Sequence, residues 1–248
     1  MRFAPVTILL VVAACRPSST PKPEVTVAAA ANLTQVFQQL GPQFEKQTGI
    51  HAVFSFASTA QLARQIENSA PFDVFAAADA EHVDTLDRKG LLEPGSRAAY
   101  AIGILAVWIP PESKAVVNRL QDLESLRVRT IAVAKPELAP YGRATVETLR
   151  HVGLWDRLQS RIVYAENISM AREFGASGNA DAVFTAYSLV LKERGKVLRV
   201  DESLHQPILQ ELGIVARCRH PEAARKFVGF LTKGPGRDVL AGSGYRAP

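Results

Sequence analysis

The stretch VTVAAAANLTQVFQQLGPQF, residues 25–44, contains one complete structural unit. Val25 to Ala29 is a short apolar run of strand length, and Asn32 then stands ahead of Leu33, Val36, Phe37, Leu40 and Phe44, which recur at helical spacing. Strand, polar turn and helix follow one another within twenty residues. Gly41-Pro42 is expected to kink or break the helix, because proline has no amide donor, and Gly49 is expected to end it. The unit then repeats. Ala52 to Phe56 reads as a strand, Ser58-Thr59 as a helix start, and Leu62, Ala63 and Ile66 as one helical face; Asp73 to Ala77 is a third strand, and Glu81 to Lys89 a helix stopped by Gly90. Alternation of this kind implies an α/β fold with a mainly parallel sheet flanked by helices.

Ala101 to Ile109 is an unusually long apolar run closed by Pro110-Pro111, long enough to leave one lobe and enter another. A second series follows it, with strands at Thr130–Ala134, Ile162–Ala165 and Ala182–Thr185 and helices starting near Gly142, Ile168 and Ser188. Gly213 to Arg217 is apolar again and is expected to return the chain, leaving Pro221–Thr232 and Pro235–Ala241 as terminal helices. The expected organisation is therefore two lobes joined by two crossovers: residues 25–104 with 213–248, and residues 105–212.

The 248 residues are 47% hydrophobic and 21% charged, which excludes a disordered polymer and a many-span membrane protein. A formal charge of +5 could point to nucleic acid, but Lys and Arg are scattered among acids with little aromatic interleaving, so no nucleic-acid partner is expected. Cys15 and Cys218 do not make a disulfide framework or a C-x-x-C site. Residues 1–15, MRFAPVTILLVVAAC, read as a signal peptide: one Arg, an apolar run too short to cross a bilayer, and small residues before a cysteine. Val12-Ala13-Ala14-Cys15 resembles the lipobox of bacterial lipoproteins, which implies export and a lipid anchor at Cys15 as the protein's membrane attachment. Residues 16–24, rich in Pro, Ser and Thr, are expected to be a tether.

Catalytic signatures are missing: the sequence has no G-x-S-x-G, no H-E-x-x-H and no G-x-x-x-x-G-K-[ST]. Gly234-Pro235-Gly236 lacks the preceding strand and third glycine of a dinucleotide loop. The five histidines form no i, i+4 pair, so no direct metal ligands are expected, and Cys218 has no identifiable partner that would make it a nucleophile. What recurs is a small polar residue or glycine at a strand-to-helix turn: Asn32, Ser58-Thr59 and Tyr141-Gly142. The first amides of a helix lack internal partners and carry the positive end of its dipole, so such turns can hold an anion; the same residues could equally be plain helix caps.

The segments VTVAAAANLT, VFSFASTAQLARQIE and PFDVFAAADAEHVD, followed by KPELAPYGRATVETLRHVGLWDRL, GNADAVFTAYS and EAARKFVGFLTKGPGRDVLAGSGY, occur in the order and spacing of a known family. The chain resembles the periplasmic molybdate-binding proteins of molybdate ABC transporters. The resemblance implies a two-lobed type II solute-binding fold that closes on a tetrahedral oxyanion, usually molybdate or tungstate. It also implies an ABC permease as partner, a monomer, no cofactor and no chemistry on the ligand. It places Asn32 and Thr59 at the family's pocket hydroxyl or amide positions, and Tyr141 and Ile168 at positions that offer backbone amides. The ligand tyrosine of some relatives falls on Ala186, with Tyr187 one place later, which leaves that contact open: Tyr187 or the Tyr141 hydroxyl could stand in for it, or the pocket could use fewer side-chain donors.

The turns contain no Asp or Glu, which suits a fully ionised oxyanion and disfavours one that must donate a proton. Carriers of sulfate, phosphate or ferric iron, and an enzyme on the same fold, are the alternatives, although the paired tyrosines common in iron carriers are absent. Sulfate shares the charge and shape of molybdate, and its exclusion rests on pocket size.

Overall fold

A computed structural model of the chain describes residues 23–248. The expected signal peptide, the Cys15 anchor and residues 16–22 of the tether lie outside the described residues. The first strand, β1, begins at Glu24, so the last residue of the segment expected as a tether belongs to the first sheet.

The first series of elements is β1 (Glu24–Ala30), α1 (Thr34–Thr48), β2 (His51–Ala57), α2 (Thr59–Glu67), β3 (Val74–Ala76), α3 (Glu81–Arg88) and β4 (Ala98–Gly103). The second is β5 (Leu105–Ile109), β6 (Ile131–Ala134), α4 (Pro140–His151), α5 (Trp155–Leu158), β7 (Ile162–Ala165), α6 (Ile168–Ala176), β8 (Ala182–Ala186), α7 (Tyr187–Val190) and β9 (Lys196–Arg199). The chain then returns as β10 (Ile208–Ile214), α8 (Pro221–Thr232) and α9 (Gly236–Gly242). The strands form two five-stranded sheets, ordered β2-β1-β3-β10-β4 and β7-β6-β8-β5-β9.

In each sheet one strand opposes the others, and it is the strand that arrives from the other lobe. β5 is antiparallel to β8 and β9, and β10 is antiparallel to β3 and β4. The reason is geometric. β4 ends where the parallel strands of its sheet end, at the side facing the second lobe, so its continuation enters the second sheet from that sheet's own carboxyl-end side. β9 and β10 make the same exchange in reverse. The carboxyl ends of the parallel strands in both lobes therefore face one interlobe interior, where open α/β sheets bind ligands. The long run Ala101–Ile109 is divided by Ile104 between the two sheets, as its length suggested.

The return crossover lies earlier than expected. It precedes Ile208, so residues 208–212 belong to the first lobe and not the second, and of the expected strand Gly213–Arg217 only Gly213 and Ile214 lie in β10, with Val215 in an isolated bridge to Leu92 and a turn at Ala216-Arg217. The apolar run was misleading because β10 carries Gln210 and Glu211 into the interior, where Gln210 is bonded to Asn32 and Tyr141 and Glu211 to Arg97. β9 and α5 likewise carry no strong periodic signal. Pro42 does not break α1, which runs through it. Pro42 and Gln38 are both exposed, so the carbonyl freed at Gln38 faces water. Gly41 is needed for packing instead: a Cβ there would meet the Phe54 ring at 2.9 Å.

Alternating residues of β1 separate the faces of the first sheet. Val25, Val27 and Ala29 join Phe37, Phe44 and Phe227 beneath α1 and α8, whereas Ala28 joins Leu62, Ile66, Val83 and Leu86 beneath α2 and α3. The aromatic core is tightly coupled, with Phe44 edge-on to Phe227 and Phe230 at ring separations of 5.3 and 5.4 Å. In the second lobe Trp108, Ala132, Ala171 and Val183 pack under α6, while Val107, Val133, Phe184 and Leu149 form the opposite face. These two packed bodies hold the turns between them.

Candidate functional site

Four turns, two from each lobe, meet in the interlobe interior. From the first lobe come the 3-10 turn Ala31–Leu33 after β1 and the start of α2 after β2; from the second come the starts of α4 and α6. Direct hydrogen bonds fix their proximity. Ser169 Oγ of α6 donates to Ala31 O at 2.8 Å, and the Ala60 amide of α2 donates to Leu138 O, just ahead of α4, at 3.2 Å. At the rim Arg143 of α4 pairs with Asp79 at 3.1 Å and with Glu81, and Gln61 Nε2 lies 3.5 Å from Glu166 Oε2. This is a closed arrangement of the lobes.

Each turn brings main-chain donors that its own helix cannot use. The backbone amides of Asn32, Thr59, Tyr141 and Ile168 have no hydrogen-bond partner among the described residues. All four residues are buried, Asn32, Thr59 and Tyr141 at 1% exposure and Ile168 at 3%. Pro140 at the first position of α4 has no amide to leave unpaired, and Asn167 caps α6 by accepting the Met170 amide at 2.9 Å. Thr59 Oγ1 accepts the Ala78 amide at 3.1 Å, so its own proton remains available to an acceptor. The nearby carboxylates are each held by a cation, Asp79 by Arg143 and Glu166 by Lys135. The interior is thus rich in donors and positive helix ends.

The remaining sequence candidates have other partners. Ser58 donates its hydroxyl proton to Gln61 Oε1 at 2.8 Å and so fixes the first turn of α2. Tyr187 donates its amide to Ile104 O at 2.9 Å, and its ring lies against the Arg199 guanidinium at 5.6 Å, beside the crossover strands. The Tyr141 hydroxyl turns toward the same strands, accepting from Gln210 Nε2 at 3.0 Å. A Cβ at Gly103 would lie 2.2 Å from that hydroxyl, so only glycine lets β4 pass there.

Sequence reasoning missed a buried network behind the Asn32 turn. Asn32 Nδ2 reaches Gln210 Oε1 at 3.0 Å and Tyr245 Oη at 3.1 Å; Tyr245 donates to Asn32 O at 2.8 Å, and Ser188 Oγ donates to Tyr245 at 3.0 Å. Tyr100 Oη lies 2.9 Å from Gln210 Oε1 and 2.8 Å from Ala77 O. The one available signal was a lone Gln inside the apolar run ILQELGI; the Tyr245 contact spans 213 residues and leaves no local trace.

Against this geometry the chain matches the family described as bacterial extracellular solute-binding protein over residues 25–246. It is a two-lobed solute-binding protein of the type II class by fold. The chain belongs to that bacterial extracellular solute-binding family. It is 34% identical over 227 residues to the molybdate-binding protein ModA of Rhodobacter capsulatus, covering 90% of this chain and 88% of that one. It is 36% identical to ModA of Azotobacter vinelandii over 227 residues, covering 90% and 89%. The solved Azotobacter vinelandii periplasmic molybdate-binding protein superposes with a TM-score of 0.86 at 35% identity, covering 90% of this chain and 99% of that chain.

Burial pushes the Tyr245 hydroxyl up to about 12, and burial holds Tyr100 and Tyr141 well above the ordinary value of 10 as well. These phenols are neutral donors in the folded protein. An acid whose pKa is raised on folding stabilises the fold below its unfolded pKa and loses that contribution as pH rises through the folded one. Stability in urea should therefore be level up to about pH 10 and fall between about pH 10 and 12, by on the order of a few kcal/mol. Tyr245→Phe should start from a lower plateau and lose less over that interval. A parent curve that stays level to pH 12 would contradict the buried network.

Proposed function

We propose that the protein captures a fully deprotonated tetrahedral oxyanion, molybdate or tungstate, outside the cytoplasm and delivers it to the permease of an ABC importer. The observation that carries this reading is the set of four amides, two from each lobe, unpartnered among the described residues, with the free Thr59 proton beside them and the neighbouring carboxylates Asp79 and Glu166 each paired with a cation. An ion with oxygen acceptors on all sides can satisfy donors arriving from opposite directions. A protonated oxyanion would bring a hydrogen with no acceptor to meet it. The relatives named for molybdate binding support the choice among such ions. Binding and release complete the task, with no bond of the ligand made or broken. A monomer suffices, because one chain supplies every donor.

Calorimetry on residues 23–248 should give micromolar or tighter binding for molybdate and tungstate and far weaker binding for sulfate. Thr59→Val keeps the shape and removes the hydroxyl. It should weaken molybdate binding by roughly 1–3 kcal/mol, the contribution of a hydrogen bond to a charged group. Equal affinity for sulfate would refute the molybdate assignment, and an unaffected Thr59→Val would place the ion elsewhere.

We also propose that the mature chain is held to a membrane by lipid on Cys15, with residues 16–23 as the tether. Multiple acyl chains give lasting attachment at about 0.8 kcal/mol per buried CH₂. A tether keeps the carrier at high local concentration near its permease. Cys15→Ser should move the protein from the membrane fraction to the soluble one with molybdate affinity unchanged. A variant that still sediments with membranes would refute the anchor.

A further inference from the structure

The network behind Asn32 has an imbalance that identifies a positioning residue. Asn32 Oδ1 is buried and has no partner, although the nitrogen of the same amide has two. The deficits extend further. With Gln210 Oε1 toward Asn32, the single proton of Tyr100 faces two acceptors, Ala77 O and Gln210 Oε1, while the Tyr141 proton and one Nε2 proton of Gln210 have no acceptor among the described residues. Gln210 is fully buried, so water does not make up the difference.

Both amides are planar, and their nitrogen and oxygen ends are nearly alike in shape. Turning both by 180° keeps every contact distance and reverses every donor and acceptor. Gln210 Nε2 then donates its two protons to Asn32 Oδ1 and Tyr100 Oη, Tyr100 donates to Ala77 O, and Tyr141 donates to Gln210 Oε1. Tyr245 then turns its single proton from Asn32 O to Asn32 Oδ1 and leaves Asn32 O to the Ser188 hydroxyl 3.5 Å away, so that the one group left without a partner is the freed end of Asn32. The two protons of Asn32 Nδ2 now occupy the position that Oδ1 held.

We infer that Gln210 is the positioning residue of the oxyanion site. With ligand bound, its amide and that of Asn32 adopt the reversed arrangement, so that Asn32 presents two N–H donors to the ion instead of an oxygen. This rests on the reading of the site as an oxyanion cage and adds what sets its polarity. The rest of the network fixes the sign. Tyr100 and Tyr141 hold the Gln210 amide from the first and second lobes respectively, so the donor end of Asn32 is dictated from both sides of the crossover. An acceptor at that place would favour an oxyanion that carries a proton, and a donor there favours one that carries none. Gln210 touches no ligand position itself and acts through Asn32.

The side-chain amide signals in the proton–nitrogen NMR spectrum of the ¹⁵N-labelled protein test this directly. The Asn32 and Gln210 pairs are assigned by their loss in Asn32→Ala and Gln210→Met. Saturating molybdate should shift both pairs and slow exchange of the Asn32 protons. Binding shown by calorimetry on the same sample, with an unmoved Asn32 pair, would overturn the inference while leaving the cage intact; no binding by the parent would remove both together. Gln210→Met frees the Asn32 amide to take either orientation and should lower molybdate affinity roughly 10-fold, equivalent to about one hydrogen bond. Gln210→Glu presents only acceptors to Asn32 and should lower the ratio of molybdate to hydrogen phosphate affinity further than Gln210→Met does. A ratio unchanged in both variants would overturn the assignment. If neither variant folds, the parent's NMR titration decides.

Discussion

An unpaired main-chain N–H buried in a protein costs roughly 1–3 kcal/mol, and this chain buries four of them around one interior. Everything distinctive about the architecture serves to bring those groups together. Helix starts supply the donors, because the first turn of a helix cannot satisfy its own amides. The strand exchange supplies the meeting place, because each sheet receives one strand from the other lobe and so must turn its carboxyl ends toward it. An ion with oxygen on all sides resolves the shared deficit without any charged side chain, and helix dipoles favour its charge.

The same constraint explains why the crossover region is so densely bonded. The donors come from two bodies, and their mutual placement depends on a few strands. Gly103 allows Tyr141 to lie against β4, Gln210 joins Tyr141 to Asn32, and Tyr245 secures the Asn32 turn together with Ser188. Arg246 adds a main-chain pair with Ile102 on β4, so the C-terminus also grips the crossing. The placement of the lobes is therefore tied to one buried polar network, in which each member is costly to leave unpaired.

Much of this was legible in the sequence where local chemistry governs. VTVAAAAN followed by helical spacing, and the long run Ala101–Ile109, disclosed the alternating units and the first crossover, because burial on both faces imposes an apolar strand. Asn32, Thr59, Tyr141 and Ile168 were identified by turn position and family resemblance, and the structure brings all four turns together. The return crossover was displaced because Gln210 and Glu211 disguise a buried strand as a polar one; partners far away in sequence make their burial tolerable. Pro42 misled for the converse reason, since a proline on the solvent face of a helix leaves a carbonyl that water can satisfy. Ser58 and Tyr187 have the right residue type, but the Ser58 hydroxyl is directed to Gln61 and the Tyr187 ring lies against Arg199. Which way a side chain turns is decided by its tertiary neighbours.

The proposed cage requires main-chain amides of both lobes to hold one ion at the same time. Backbone amide NMR of the parent chain, recorded without and with molybdate, addresses it at the level of single hydrogen bonds. The Asn32, Thr59, Tyr141 and Ile168 amides should all shift and gain protection from exchange at the same ligand concentration. Shifts confined to the amides of one lobe, or absent from all four while the ion is bound, would contradict the account.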